Sequence, residues 1–392
     1  MSQRIVIVGA GQGGLQAAVS LRQEGHTGTI TLIGSEPHLP YQRPPLSKAY
    51  LKTGQADSLR LRPQSFFDDQ KIILMLGISV TRIDTATQCV EHKDGTVPYD
   101  HLILATGTRN LRPDIAGLDR ALDLRTLDDA EALRNAMPSA QSVAVIGGGF
   151  IGLEFAAVAR GIGLSVTVAE AASRLMARVV SSEMSERFLQ MHQALGTHVL
   201  LSAPVSQVTD KGVVAGGQHV DADLVVLAAG VRPNSELAER AGLAIDNGVR
   251  TDAQLLTSNP AISALGDCAA FPDPATGRLV RLESVQAATD HARQIALRLI
   301  SGDKSHYAAV PWFWSDQADS KLQIAGAATP EDEAVALPDG TILRFDGNRL
   351  SAVETVNGAR THMQARKLLA KHPRPTRDIL SAHGYELASM LR

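Results

Sequence analysis

Closely spaced glycines, which could bind a dinucleotide, stand at two places in this chain of 392 residues. Each set follows an apolar run that predicts a buried strand and precedes a pattern that predicts a helix. In such a turn the backbone N–H groups approach a pyrophosphate, and the positive end of the helix dipole faces its charge. One match is a weak signal, whereas two matches flanked in this way are a strong one. The glycines are Gly9, Gly11, Gly13 and Gly14 in the first set and Gly147, Gly149 and Gly152 in the second.

An acidic residue about 20 residues after the glycines is expected to bind the adenosine ribose hydroxyls. Glu170 lies 18 residues after Gly152. Its carboxylate would repel a 2′-phosphate, so the second site is predicted to prefer NADH over NADPH. Arg174 would weaken this preference if its side chain turned inward. Glu36 lies 22 residues after Gly14, and it is either the matching acid of the first site or an ordinary surface glutamate.

The glycine motif is part of an internal repeat with an offset of 138 residues, which is the distance from Ile5 to Val143. Residues 102–107 and 224–230 are a second similar pair, and each ends an apolar strand in a glycine turn. A solenoid repeat is much shorter, about 20 to 50 residues. The chain is therefore predicted to be an α/β protein with two Rossmann-like dinucleotide-binding domains and a C-terminal α+β domain.

Breaks in the strand and helix patterns suggest where these domains meet. One boundary is predicted near residues 112–113, and Pro233 and Asn234 predict a loop at the return from the second repeat. After about residue 315 the sequence favours short strands at 322–325, 341–345 and 350–356.

Composition excludes several other classes of protein. Thirty-eight basic residues against 41 acidic ones give a formal charge of -3, which argues against general binding of nucleic acid or anionic membrane. The most apolar stretch, residues 143–159, contains three consecutive glycines and Glu154, so it does not predict a membrane span. The opening residues lack the pattern of a secretory leader, and a cytoplasmic location is expected.

The chain has two cysteines, Cys89 and Cys268. Two cysteines far apart in sequence exclude a disulfide framework and a cysteine-rich zinc or iron–sulfur site, and no metal site is predicted. Redox chemistry would therefore need a bound cofactor. Two dinucleotide sites suggest a flavin in one and a nicotinamide in the other.

Six motifs together carry a resemblance to a known family. They are Pro-Tyr-Gln-Arg-Pro-Pro-Leu-Ser-Lys at 40–48, the second glycine motif at 147–154, Gly-Val-Arg-Pro-Asn at 230–234, Ala-Leu-Gly-Asp at 264–267, Leu-Glu-Ser-Val-Gln at 282–286 and Pro-Trp-Phe-Trp-Ser-Asp-Gln at 311–317. Through them the chain resembles the FAD-dependent NADH:ferredoxin reductases of the putidaredoxin-reductase type, within the pyridine nucleotide-disulphide oxidoreductases. These enzymes supply the [2Fe-2S] ferredoxins of monooxygenases and ring-hydroxylating dioxygenases.

The resemblance implies an oxidoreductase that passes electrons from NADH through FAD to a [2Fe-2S] ferredoxin. It places FAD in residues 1–112 and 240–315, NAD in residues 113–239 and a C-terminal domain in residues 316–392. The expected partners are the ferredoxin and NADH, without nucleic acid or membrane, in a monomer or weak homodimer.

The resemblance also implies roles for individual residues. Lys48 and Glu154 are expected to pair beside the flavin, as tuning and positioning groups, and Trp314 to lie at the flavin edge where ferredoxin docks. Trp312 is equally well explained as a core aromatic. The candidate cofactor-binding residues are Gly9, Gly11, Gly13, Gly14, Glu36, Arg43, Lys48, Thr106, Gly107, Asp267 and Val285 for FAD, and Gly147, Gly149, Ile151, Gly152, Glu170 and Gly230 for NAD.

Two residues depart from the family pattern. Ala318 stands where an aromatic residue is usual, and Ala287 where asparagine is common. Both are expected near the flavin face, so these departures leave the preferred ferredoxin open.

Two other functions remain as alternatives: a hydrogen-peroxide-forming NADH oxidase, and a redox-sensing flavoprotein similar to the apoptosis-inducing factors. A flavin disulfide reductase would need a cysteine pair after the first helix, and residues 37–52 contain none.

The tail carries a cluster of basic residues opposed only by Asp378 among nearby acids. Such a cluster is either a solvated helix face or a patch that attracts an acidic ferredoxin. Its residues are Arg360, Arg366, Lys367, Lys371, Arg374 and Arg377.

Overall fold

A computed structural model describes residues 3–274, 276–371 and 373–391. The chain divides into two compact units, each made of several segments. The first unit comprises the chain up to Gln42, Asp57–Arg109 and Val231–Ala309. The second comprises Arg43–Ala56, Asn110–Gly230 and the chain from Val310 onward.

A parallel five-stranded sheet forms the centre of the first unit. Its central strand is the apolar run before the first glycine motif, and all four residues of that strand are buried because both faces of the sheet are covered. The helices Gln12–Gln23 and Val285–Ser301 pack against each other beside the sheet. The strand order is Ile262–Ala264, His101–Leu104, Ile5–Val8, Ile30–Ile33 and Ile72–Met75.

The second unit repeats this arrangement around the second glycine motif. Its parallel sheet has the order His198–Leu200, Ser165–Ala169, Ser142–Ile146, Leu224–Leu227 and Leu122–Asp123. The helices of this half are Leu127–Ala136, Phe150–Gly161 and Ser182–Ala194.

Each parallel sheet is accompanied by a three-stranded antiparallel sheet. In the first unit its strands are Val80–Asp84, Cys89–His92 and Gly95–Pro98, and in the second unit Val205–Thr209, Gly212–Ala215 and Gln218–Asp221. The internal repeat of the sequence therefore extends to the small sheets, where no sequence similarity predicted it.

An antiparallel five-stranded sheet, with two helices, ends the second unit. Its strand order is Trp312–Gln317, Ser320–Gly326, Arg349–Val356, Ile342–Asp346 and Glu333–Ala336, and its helices are Ala359–Leu369 and Arg377–Ala382. Three of these strands match the predicted ones to within a few residues. The structure also places a short strand, Val231–Pro233, where a loop was expected.

The remaining helices are short: Ala49–Thr53, Gln64–Asp69 and Glu236–Arg240. Among the described residues, no helix is both long enough and apolar enough to cross a membrane.

Candidate functional site

Packing inside the protein requires two glycines of each turn. A Cβ on Gly9, whose φ is +115°, would lie 2.1 Å from the carbonyl oxygen of Ala105, and one on Gly14 would lie 1.9 Å from that of Gly9. In the second turn the corresponding distances are 2.4 Å from Gly147 to the Ala228 oxygen and 2.3 Å from Gly152 to the Gly147 oxygen. These glycines let the helix approach the sheet closely.

No packing contact of this kind requires a glycine at the middle position of each turn. Gly11 and Gly149 adopt φ values of -85° and -83°, which any residue tolerates. A Cβ on either would meet no atom of the described chain within 4 Å. Each residue is also the N-cap of its helix and, as a glycine, has no side chain with which to cap it. Both turns thus have open space beside the N-terminus of a helix, which is what a pyrophosphate needs in order to reach backbone N–H groups.

Two further loops of the first unit flank its turn. The Thr106 hydroxyl donates a hydrogen bond to the Asn234 carbonyl oxygen at 2.7 Å. Asn234 in turn donates from its side-chain amide to the Thr106 carbonyl oxygen at 2.8 Å and from its backbone N–H to the Gly107 carbonyl oxygen at 2.9 Å. The loop at Gly266 has a φ of +67°, and the following Asp267 accepts a hydrogen bond from the Thr108 hydroxyl at 3.2 Å.

An acidic residue follows the strand Ile30–Ile33 of the first parallel sheet, and another follows the strand Ser165–Ala169 of the second. Glu36 is partly buried and accepts a hydrogen bond from the Tyr41 hydroxyl at 2.5 Å. Glu170 accepts hydrogen bonds from the backbone N–H groups of Gly148 and Ala172, at 2.6 and 2.7 Å. Its carboxylate is therefore fixed beside the second glycine turn.

Arg174 does not contact Glu170. Its guanidinium donates hydrogen bonds to the carbonyl oxygens of Ala177 and Val180 and to the Ser185 hydroxyl, at 2.6 to 2.8 Å. These contacts hold the positive charge of Arg174 within the loop that follows the strand Ser165–Ala169.

Lys48 and Glu154 lie together in the second unit. The Lys48 ammonium is 3.0 Å from Glu154 Oε1 and 3.1 Å from Asp316 Oδ2. Glu154 Oε1 also accepts hydrogen bonds from the Ser315 hydroxyl at 2.7 Å and the Asp316 backbone at 3.2 Å, and its Oε2 accepts one from the Ser47 hydroxyl at 2.5 Å. With its two oxygens so occupied, the carboxylate is a fixed acceptor.

Sequence reasoning missed Ser47, Ser315 and Asp316 as members of this cluster. The signal was present, since these residues stand next to Lys48 and Trp314 in the two motifs most specific to the family.

The tryptophan pair lies beside this cluster. Trp312 and Trp314 stack with ring centroids 5.8 Å apart, because side chains two apart on a strand share a face. Lys48 Nζ lies 5.9 Å from the Trp314 ring centroid. The Arg366 guanidinium lies 4.5 Å from the Trp312 centroid, within the range of a cation–π contact.

The other predicted residues are placed as follows. Gly13 packs against Leu265, Val285 is the first residue of its helix, and Ile151 is partly exposed in the first turn of the second glycine helix. The Arg43 guanidinium donates a hydrogen bond to the Arg125 carbonyl oxygen at 2.8 Å. Gly230 has a φ of +101°, and a Cβ there would lie 3.3 Å from the Arg178 guanidinium.

The cysteines show no catalytic arrangement. Cys268 is fully buried, and burial raises the pKa of its thiol, which disfavours the reactive thiolate. Among the residues that the structure describes, no group of three or more His, Cys, Asp or Glu side chains could hold a metal ion.

The basic tail residues are less free than expected. Arg377 forms an ion pair with Glu333 on the neighbouring strand, so the expectation that only Asp378 opposes the cluster is wrong. Lys371 donates a hydrogen bond to the Met390 carbonyl. Arg360 and Lys367 are exposed and line a groove of about 480 Å³ with Met363 and other residues.

Comparison with known proteins identifies the family. Residues 3–292 match the family model of pyridine nucleotide-disulphide oxidoreductases, and residues 312–391 match the reductase C-terminal model. Rhodocoxin reductase from Rhodococcus erythropolis is 51% identical over 381 residues, covering 93% of this chain and 89% of the relative.

Two solved structures are similar over nearly the whole chain. A ferredoxin reductase from Rhodopseudomonas palustris has a TM-score of 0.95 at 43% identity, with 100% of both chains covered. Putidaredoxin reductase in a covalent complex with putidaredoxin has a TM-score of 0.94 at 35% identity, covering 99% of this chain and 98% of that one.

These similarities confirm the predicted fold class and the prediction of an oxidoreductase, and they imply FAD and NAD(H) as its cofactors. The chain therefore belongs to the pyridine nucleotide-disulphide oxidoreductase family, in the form that ends in a reductase C-terminal domain.

Proposed function

We propose that this protein passes electrons from NADH, through FAD, to a [2Fe-2S] ferredoxin that supplies a monooxygenase or ring-hydroxylating dioxygenase. The family, and relatives named as reductases of rhodocoxin and putidaredoxin, support this function. The single observation that carries it is the cluster of Lys48, Glu154 and Trp314 on the C-terminal sheet and its neighbouring elements.

The two glycine turns fit the two cofactors. We assign FAD to the turn at Gly11, with Glu36, Asp267 and Val285 as further contacts, and NAD to the turn at Gly149, with Glu170 as the acid that binds the ribose. When bound, FAD supplies the chemistry of accepting a hydride and releasing electrons singly. The protein itself binds and orients these groups.

The domain assignment follows the cofactors. Residues 1–112 and 240–315 are assigned to the FAD domain and residues 113–239 to the NAD domain. The C-terminal domain, expected from residue 316, is taken to include the whole strand Trp312–Gln317, so the second FAD segment then ends at residue 311.

Lys48 and Glu154 have a positioning role in this proposal. A hydride transfer needs no protein acid or base, but it needs the reactants held in place and a field that favours the product. The fixed carboxylate of Glu154 holds the Lys48 ammonium at a defined position. That positive charge favours an anionic reduced cofactor beside it.

The tryptophan pair and the exposed basic residues are the proposed ferredoxin dock. Trp314 adjoins the Lys48 cluster, and the basic helix Ala359–Leu369 reaches the same pair through Arg366. An acidic ferredoxin would be attracted to this helix, and the iron–sulfur cluster of that ferredoxin would approach beside Trp314.

A direct experiment tests the function. The purified protein should be yellow with FAD and should reduce cytochrome c with NADH only when a [2Fe-2S] ferredoxin is added. NADPH should serve less well than NADH. Equal rates of NADH oxidation with and without ferredoxin, accompanied by hydrogen peroxide, would instead identify an NADH oxidase.

A further inference from the structure

A row of buried polar side chains leads away from Glu154. The Ser315 hydroxyl contacts Glu154 Oε1 at 2.7 Å, and Gln317 Nε2 contacts the Ser315 hydroxyl oxygen at 3.1 Å. His192 Nε2 lies 2.9 Å from Gln317 Oε1. Ser315, Gln317 and His192 are each 0% exposed, so water does not compete for these bonds.

The row joins two elements of the second unit. Ser315 and Gln317 are two apart on the strand Trp312–Gln317 and therefore share its buried face. His192 lies in the last turn of the helix Ser182–Ala194.

The direction of every hydrogen bond follows from the carboxylate. Glu154, paired with the Lys48 ammonium, can only accept, so the Ser315 hydroxyl donates to it. The Ser315 oxygen then accepts from Gln317 Nε2, which turns Gln317 Oε1 towards His192. His192 must donate through Nε2–H, and all three donors point towards Glu154.

The surroundings of His192 agree with a neutral ring of this tautomer. Burial lowers the pKa of His192, so the ring is neutral near pH 7. A charged ring would carry a second donor at Nδ1, and that atom has no hydrogen-bond partner among the described residues.

We propose that His192, Gln317 and Ser315 are positioning residues, which present the Ser315 hydroxyl to Glu154 and thereby hold its carboxylate against the Lys48 ammonium. This inference rests on the proposed role of Lys48 and Glu154 in hydride transfer. Without the row, the Ser315 hydroxyl is free to rotate to other acceptors, and Glu154 Oε1 loses a donor that fixes its orientation.

Three variants of His192 in the FAD-loaded protein test the proposal. A glutamine amide nitrogen reaches the place of the imidazole Nε2, whereas an asparagine nitrogen reaches only the place of Nδ1. We expect His192→Leu and His192→Asn to lower the rate constant for reduction of bound FAD by NADH about tenfold, because the Ser315 hydroxyl is then no longer held in its hydrogen bond to the charged Glu154 carboxylate. The KM for NADH should change less than twofold, and His192→Gln should restore most of the rate.

A double-mutant cycle shows whether the effect passes through Glu154. In a Glu154→Gln background, His192→Leu should have no further effect, because the acceptor that it orients is gone. Additive effects, or equal losses in the Leu and Gln variants of His192, would overturn the proposal. If Glu154→Gln alone leaves the rate unchanged, the role given to the pair in the proposed function is wrong.

A spectroscopic measurement is independent of catalysis. Nitrogen-15 NMR of the FAD-loaded protein should show His192 as the neutral Nε2–H tautomer, with its signal assigned by its absence in His192→Gln. Gln317→Leu should shift the signal, because the acceptor of Nε2–H is removed. A neutral Nδ1–H tautomer, or a His192 signal unchanged by Gln317→Leu, would disprove the row while leaving the proposed function untouched.

Discussion

Individual glycines in the two turns are required for different reasons. Gly9 and Gly14 are fixed by contacts inside the protein, whereas Gly11 borders open space. The same distinction separates Gly147 from Gly149 in the second turn. An added methyl group therefore tests folding at one position and cofactor binding at another.

The first prediction uses the two middle glycines as a matched pair. Gly11→Ala should weaken FAD binding, because its Cβ enters the space assigned to the pyrophosphate, and the purified protein should lose colour. Gly149→Ala should keep FAD but raise the KM for NADH at least tenfold. FAD absorbance and steady-state kinetics measure both effects, and identical phenotypes would contradict the assignment of one cofactor to each turn.

The second prediction concerns coenzyme choice. Glu170→Arg should reduce the preference for NADH over NADPH by at least tenfold in kcat/KM, because it replaces a carboxylate that repels the 2′-phosphate with a cation that attracts it. Glu183→Arg, at an exposed position on the following helix, is the control for added positive charge. An unchanged preference in Glu170→Arg would refute the role of this residue.

Sequence spacing could predict residues that act within one short segment. The glycine turns and Glu170 are of this kind, because a strand, a turn and a helix fix their positions locally. The partners of Glu154 are not: Ser47 is 107 residues away and Ser315 is 161. Such contacts depend on how distant segments pack, which no local pattern records.

Among the larger elements, the helix Ser182–Ala194 is tied at both ends to the C-terminal sheet. At its start the Ser181 hydroxyl and backbone N–H donate to Glu354, at 2.7 and 2.9 Å, and near its end His192 contacts Gln317. Arg344 pairs with Glu354 at 2.9 Å, and the two side chains are only 2% and 0% exposed.

The third prediction tests this buried ion pair. Arg344→Met should destabilise the protein by about 3 to 5 kcal/mol, because it leaves the Glu354 charge buried without its cation. Adding Glu354→Gln should recover part of the loss. Both tryptophans lie on one strand of this sheet, so their fluorescence during urea unfolding reports its stability.

Arg349→Met serves as the control, since Arg349 is exposed on the adjoining strand and should change the unfolding midpoint little. Equal losses in the Arg344 and Arg349 variants would show that the buried pair has no special importance. The sequence predicted both strands that carry the pair, but no local pattern indicates that Ser181, 173 residues before Glu354, also binds this carboxylate.

The fourth prediction concerns the hydrogen bond of the Gly266 loop, whose contribution to the stability of the protein should depend on pH. His291 accepts a hydrogen bond from the Gly266 N–H at 3.2 Å, and burial lowers its pKa from 6.5 to about 3. Its contribution to stability is full above pH 6.5 and is lost as the pH falls towards 3, because only the unfolded chain takes up the proton.

The midpoint of unfolding at several pH values measures this effect. His291→Asn keeps an acceptor near the place of Nδ1 but cannot be protonated. Below pH 6 it should lower the slope of the free energy of unfolding against pH by about 1.4 kcal/mol per pH unit. His306→Asn, at an exposed position of the same unit, should leave the slope unchanged.

On the scale of the whole molecule, charge is nearly balanced but unevenly placed. The formal charge is -3, yet the helix Ala359–Leu369 carries Arg360 and Lys367 on its exposed surface. A local basic surface on a weakly acidic protein can attract an acidic partner to one place.

The fifth prediction follows from this placement. Lys367→Glu should lower ferredoxin-dependent turnover several-fold at low salt, and the difference from wild type should shrink as salt screens the charges. Reduction of ferricyanide, which needs no dock, should be unchanged. Lys93→Glu, which is 76% exposed in the first unit, is the matched control. If both variants behave alike, steering by the tail is excluded.

The strand Trp312–Gln317 alternates its side chains between two environments. Its even-numbered residues include both indoles and Asp316, whereas Ser315 and Gln317 are enclosed. Evolution can therefore exchange Trp312 or Trp314 to suit a new electron acceptor without replacing the enclosed Ser315 and Gln317. Deleting one residue near the start of this strand would move each following side chain to the opposite face. We expect such a deletion to impair both the choice of partner and the cofactor chemistry.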